Sequence, residues 1–324
     1  MNTFSAFLFS ANSVLPCFLL IGAGWLLKRQ GMLPQNVVGS INSIAFNVAF
    51  PALLFREMAQ ATITQVFHPV FIIYGVGGTL LTFALTWLGA ELFIKNKAAI
   101  GSFVQGAFRG NYAIMGLMLI TNILGHTGKG ILLTAFAIPA YNILSVALLT
   151  FRSRHPQNGS TRKAAMSIVR NPLIIGIMLG LPFSLFHIPL FTSAETKLVA
   201  TTAKYLADLA NPLAMLAIGA SISSRTMLKG LPTILAATAI KLVVSPLVFV
   251  GAAYFLRDTL RFSGEDLLVL FVLFGVPTAV ASYIMASKMD ADADLAAGIL
   301  LLTSLLSVFT ITFGIYLFKA SGLI

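Results

Sequence analysis

Charge is what this sequence has least of. Only 10% of its 324 residues are Asp, Glu, Lys or Arg, with 10 acidic residues against 21 basic ones. A soluble domain carries about 25% charged residues, so the scarcity excludes an ordinary water-soluble fold. Cysteine is nearly absent too: the single Cys17 excludes an intrachain disulfide, and its place inside an apolar run marks it as a packing residue. Motifs of chemistry are missing as well. No His and Glu pair has zinc spacing, no Gly-x-Ser-x-Gly turn presents a nucleophile, and no phosphate-cradling loop ends in Gly-Lys-Ser or Gly-Lys-Thr. An enzyme, a resident metal, an organic cofactor and ATP-driven pumping are therefore not expected. His68, His126, His155 and His187 fall near the ends of apolar runs. Asp290, Asp292 and Asp294 precede the last such run, where they suit the N-terminus of a helix better than a metal.

What the chain has in abundance is apolar length. It is 58% hydrophobic with a mean hydropathy of +0.92, which makes it an integral membrane protein. A spanning helix needs about 20 mostly apolar residues. Ten segments fit, with cores near 6–27, 37–56, 68–94, 98–123, 129–151, 171–190, 196–222, 233–256, 266–287 and 295–318. The first run is too long for the apolar core of a signal peptide, and Lys28 and Arg29 follow it rather than precede it, so it is expected to be retained. The net charge of +11 would suggest nucleic acid for a soluble protein. Here the basic residues sit in short connections and report orientation instead, so no nucleic-acid partner is expected. Twelve Lys and Arg lie on the side of the connection 152–170 and six on the other. The expected topology is a multi-pass protein of the cell membrane with both termini outside and the 152–170 connection in the cytoplasm.

That connection divides the chain into a first five-helix unit, 1–151, and a second, 171–324. The halves look duplicated. Phe108 pairs with Phe274 and Asn111 with Pro277, and at a nearly constant offset Gly130-Ile-Leu-Leu pairs with Gly298-Ile-Leu-Leu. Five spans per unit, an odd number, place the second unit upside down relative to the first. The fold class expected is an all-α polytopic membrane protein of two inverted five-helix repeats, with helices 4 and 9 crossed and interrupted.

The interruptions are Phe108-Arg-Gly-Asn-Tyr-Ala-Ile-Met-Gly116 and Phe274-Gly-Val-Pro-Thr-Ala-Val-Ala-Ser282. Broken helices at corresponding places in two repeats point to the binding site of a secondary transporter, because the broken backbone lines a cavity. Candidate binding residues are Gly110, Asn111, Tyr112, Pro277, Thr278 and Ser282, joined by Lys241 and by Asn47. Asn47 belongs to a polar stripe of the second span, Asn36, Ser40, Ser43 and Asn47, from which Asn42 is displaced. Thr201, Lys204, Asp208 and Asn211 form a similar stripe on the seventh. Such stripes either pack against other polar helices or face an aqueous cavity. Arg109, Lys204, Asp208 and Lys241 lie inside apolar runs, where each costs at least about 2.5 to 3.5 kcal/mol at a bilayer centre and so requires a role or a partner. Arg109, Lys204 and Asp208 are candidates for coupling, with H+ and Na+ both open as the coupling ion. Three cations against one anion, with helix N-termini added, suit an anionic solute.

At these residues the sequence resembles the auxin efflux carrier family, within the wider superfamily of bile acid and auxin carriers. The likeness runs through Asn42 to Phe55, Phe108 to Leu117, and Pro277-Thr-Ala to Thr303-Ser-Leu-Leu-Ser307. Met118 stands where the family often has Pro, and Ala281 where it often has Asn. The resemblance implies a scaffold domain from helices 1, 2, 6 and 7 and a transport domain from helices 3 to 5 and 8 to 10. It also implies a secondary carrier for a small organic anion, auxin-like or malate-like, working by elevator-like alternating access. The alternative is a membrane sensor that binds a metabolite in the same pocket without moving it. Apart from its solute and the bilayer no partner is called for, and a homodimer is compatible with the chain.

Overall fold

The computed structural model describes residues 3–60, 68–126, 129–152, 166, 168–191, 193, 195–221 and 230–324. Among them every regular element is helical. In order they are α1 Thr3–Arg29, α2 Gln35–Ala59, α3 Pro69–Phe93, α4 Lys97–Phe108, α5 Leu117–Leu124, α6 Gly130–Arg152, α7 Pro172–Leu185, α8 Lys197–Asp208, α9 Ala210–Ser221, α10 Leu231–Phe255, α11 Arg257–Leu260, α12 Gly264–Gly275, α13 Ala281–Lys288 and α14 Ala293–Ala320. By length and composition α2, α3, α6, α10 and α14 are each able to cross a bilayer. The protein is thus an all-helical, multi-pass membrane protein. Arg152, Met166 and residues 168–170 belong to the basic connection; the rest of it lies outside the described residues.

Local chemistry sets the helix ends. The Asn96 side chain accepts from Ala98 N at 3.2 Å to start α4, and Asn171 accepts from Leu173 N at 3.0 Å ahead of Pro172 in α7. Ser263 and Asp266 cap α12 reciprocally, and the Asp266 carboxylate also takes Lys129 Nζ at 2.9 Å, tying the foot of α12 to the foot of α6. Asp292 caps α14 by accepting from Leu295 N at 3.0 Å, the capping role expected of the acidic cluster. Prolines shape the interiors. In α2 and α10 a π-type turn, Ala45–Ala49 and Ile240–Val244, lies just ahead of Pro51 and Pro246. A proline removes one rung of the helical ladder and crowds the carbonyl four residues back, and a widened turn absorbs both effects.

The buried apolar residues form two cores. One gathers Phe71, Phe83, Phe103, Phe108, Phe271 and Ile315, from α3, α4, α12 and α14. The other gathers Ile21, Leu53, Ile177, Met215, Ile218 and Ile284, from α1, α2, α7, α9 and α13. In the second core the main chains touch. A Cβ on Gly219 of α9 would overlap the Ile21 carbonyl of α1, and one on Gly176 of α7 would overlap the Pro51 carbonyl of α2. Only glycine permits such approach, so α1 is locked to α9 and α2 to α7.

Candidate functional site

Both interruptions are real breaks, and they meet. α4 ends at Phe108, and Arg109 turns extended at φ −88 and ψ 113. α12 ends at Gly275, and Val276 turns extended at φ −66 and ψ 149, as the residue before a proline must. Between them Gly110 and Thr278 form an antiparallel bridge, with Asn111 N donating to Pro277 O at 2.8 Å and Ala279 N to Arg109 O at 3.3 Å. Each break orphans carbonyls that a continuous helix would have used. Thr278 Oγ1 donates to Gly106 O at 2.7 Å, and Lys241 Nζ donates to Phe274 O at 2.9 Å. The peptide N–H of Thr278, which would have served Phe274, turns to Thr303 Oγ1 at 3.3 Å.

A cavity of about 50 Å³ lies beside the crossing, lined by Glu57, Arg109, Asn111, Tyr141, Asn142 and Asn211 among others. Residues 111–113 and 279–281, which lead into the second halves of the two broken helices, also border it. Helix N-termini carry partial positive charge and unpaired N–H groups. The Arg109 guanidinium is 4% exposed and is held by Asn142 Oδ1 at 2.9 Å and Met285 Sδ at 2.8 Å. The partner that its burial required is thus supplied by side chains of α6 and α13. Across the cavity Glu57 acts electrostatically on Arg109, yet among the described residues it forms no ion pair within 4.0 Å.

Glu57 is the residue that sequence reasoning missed. The second apolar run was ended at Arg56, but α2 continues to Ala59, and one helical step separates Arg56 on its outer face from Glu57 toward the cavity. The adjacent unlike charges at the end of an amphipathic span were the available signal.

Arg56 itself borders a second, open cleft of about 610 Å³ with Gln60, Ser193, Lys197, Thr201 and Lys204. Asp208 binds Arg56 Nη1 and Lys204 Nζ, both at 2.7 Å. The stripe on the seventh span therefore faces polar space along its length. Thr201 and Lys204 line the cleft, Asp208 pins two cations, and Asn211 reaches the cavity.

The other candidates fall as follows. Gly110, Asn111 and Tyr112 border the cavity, and the Tyr112 hydroxyl is committed to Gly130 O at 2.9 Å. Pro277 and Thr278 build the crossing itself. Ser282 is 1% exposed, and its Oγ has no partner among the described residues. Lys241, 1% exposed, does not line the cavity; it sits on the C-terminal end of α12, where an ammonium complements the helix dipole. Lys204 and Asp208 are not buried, their side chains being 60% and 45% exposed. Asn47 is exposed and donates within its own helix to Ser43 O at 2.9 Å. In that span the buried polar residue is Asn42, bonded to Ser287 Oγ at 2.9 Å. Of the four charged candidates only Arg109 and Lys241 are buried; among the described residues the buried acid is Asp266, paired with Lys129 away from the cavity, and the charged groups lining the cavity are Arg109 and the half-buried Glu57.

Comparison with known proteins points to membrane transport. The family model described as "Membrane transport protein" matches residues 9–162 and 157–315. An "Uncharacterized transporter" of Methanothermobacter thermautotrophicus is 26% identical over 305 residues, covering 93% of this chain and 96% of its own. A protein of Rhizobium meliloti named "Putative malonate transporter" is 28% identical over 326 residues, covering 96% of each chain.

Proposed function

The chain belongs to the membrane transport protein family, that of the auxin efflux carriers, and from that premise we propose that it is a secondary carrier for a small organic carboxylate, bound where the two broken helices cross. The observation that carries the proposal is Arg109: a buried guanidinium, fixed by Asn142, facing a cavity onto which two broken helices direct their second halves. A dicarboxylate such as malonate, in the name of the Rhizobium relative, fits that chemistry. The solute enters by the open cleft, where Arg56, Lys197 and Lys204 gather anions, and moves along the face of Asp208 and Asn211 to Arg109. About 50 Å³ holds no more than a few waters, so the cavity widens to admit solute. Glu57 opposes Arg109 across the cavity, and an arriving carboxylate replaces its electrostatic role.

Alternating access follows a division of the helices across which the second core, shared by α6, α13 and α14, forms the contact. α1, α2 and α7 to α9 form the fixed part, supported by their glycine-mediated main-chain contacts, and α3 to α6 with α10 to α14 form the part that carries the crossing. Helices that meet end to end, such as α4 with α5 and α12 with α13, complete ten crossings arranged as two inverted repeats. The test is uptake of labelled malonate into proteoliposomes by wild type and by Arg109→Gln. Loss of a desolvated partner of a bound carboxylate costs a few kcal/mol, on the order of a hundredfold in affinity. Equal affinity in the two proteins would overturn the assignment of the site, and binding without uptake would favour the sensor.

A further inference from the structure

A further cavity lies elsewhere, and nothing in the transport reading uses it. It is a groove of about 620 Å³ between α3 and α10, floored by Phe103 of α4. At one end the two helices are joined by the Tyr74 hydroxyl donating to Phe249 O at 2.6 Å. Toward Phe93 on α3 and Pro232 on α10 the groove stays open. From Pro232 to Phe249 it follows about 25 Å of helix at roughly 1.5 Å per residue, most of the roughly 30 Å hydrocarbon thickness. Its walls are almost wholly apolar, with small residues Gly89, Ala90 and Ala236 making the depth.

The open end leads into a polar mouth of about 370 Å³ that shares Phe93, Ile94 and Thr233 with the groove. Lys95, Asn96, Asp292 and Asp294 line the mouth. Lys95 is exposed and forms no ion pair among the described residues, while the Asp292 carboxylate caps α14. An apolar channel of membrane length that ends beside one cation and two acids matches a molecule with a long hydrocarbon chain and a headgroup of both signs. We infer that this groove is a site for one zwitterionic phospholipid, an aminophospholipid whose acyl chain lies between α3 and α10, whose phosphate meets Lys95 and whose ammonium meets Asp292 and Asp294.

The charge pattern separates a specific site from ordinary lipid contact. Any acyl chain will fill an apolar groove in a bilayer, but a mouth whose described residues carry two acids to one cation disfavours an anionic headgroup. The test is reconstitution in nanodiscs of equal parts phosphatidylethanolamine and phosphatidylglycerol, followed by native mass spectrometry of the extracted protein. Wild type should retain one phosphatidylethanolamine per chain. Gly89→Leu should lose it; a Cβ at Gly89 meets nothing within 4 Å, so the added side chain enters the groove without displacing the core. Ala236→Leu, from the opposite wall, is a second groove-filling variant should the first not fold. Asp292→Asn combined with Asp294→Asn should abolish the preference between the two lipids while leaving the groove intact, since asparagine can keep the cap of α14. Absence of a retained lipid, equal retention of both lipids by wild type, unchanged retention in the groove-filling variants, or an unchanged preference in the double Asp→Asn variant would each overturn the inference.

Discussion

At the first break the orphaned Gly106 carbonyl is taken by a neutral hydroxyl, Thr278 Oγ1, and at the second the Phe274 carbonyl is taken by an ammonium, Lys241 Nζ. The donors also differ in origin. Thr278 belongs to the opposite break, so its bond holds the two breaks to each other. Lys241 belongs to the π-type turn of α10, so the second break is fastened to a third helix as well. The two buried cations consequently have separate duties: Arg109 turns to the cavity, and Lys241 turns to the end of a helix. A similar burial cost is met by different means, and charge count within a span does not reveal which residue meets solute.

Lys241→Met should produce the largest loss of stability. It leaves Phe274 O buried without its charged donor, a loss of about 3 kcal/mol, measured by denaturant unfolding in detergent. Gly110→Ala should follow at about 2 kcal/mol, because the new Cβ would stand 2.8 Å from Val276 Cγ2 and 3.1 Å from Lys241 Nζ. Since that methyl crowds the ammonium, Gly110→Ala in a Lys241→Met background should cost less than the sum, and strict additivity would show that the glycine does not make room for the lysine. Thr278→Val should be smallest, about 1 kcal/mol for one neutral hydrogen bond lost at nearly constant shape. If Thr278→Val cost as much as Lys241→Met, the distinction between a neutral and a charged cap would fall.

Much of this was visible before any coordinates. The extended pairs Arg109-Gly110 and Val276-Pro277 declare themselves as departures from helix, because they fall at corresponding places in the two halves of the chain. The acidic cluster announced the N-cap of α14. What sequence missed depended on direction around a helix. Arg56 and Glu57 are neighbours in the chain, yet they border different spaces. Asn47 shares a stripe with Ser43 and is exposed, whereas Asn42, off that stripe, is buried against Ser287. Asn36, Ser40 and Asn47 are all exposed and Ser43 is half-buried, so the period placed them on one face, but a period does not say which face of a helix meets the cavity.

By itself the sequence determined that the chain is helical, that it lives in a membrane, and that two of its apolar segments are broken at Gly110 and Pro277. These follow from local causes: apolar length fixes the solvent, and residues that cannot sustain the helical ladder fix the breaks. Only the tertiary structure decided that the breaks pair with each other, that Lys241 caps α12 while Arg109 faces the cavity, and that Glu57 stands opposite it. Those outcomes join residues that lie from 33 to 172 positions apart in the chain, as in Lys241 with Phe274 and Thr278 with Gly106. A buried polar group must find a partner, but which partner it finds is settled by the packing of helices and not by the sequence around it.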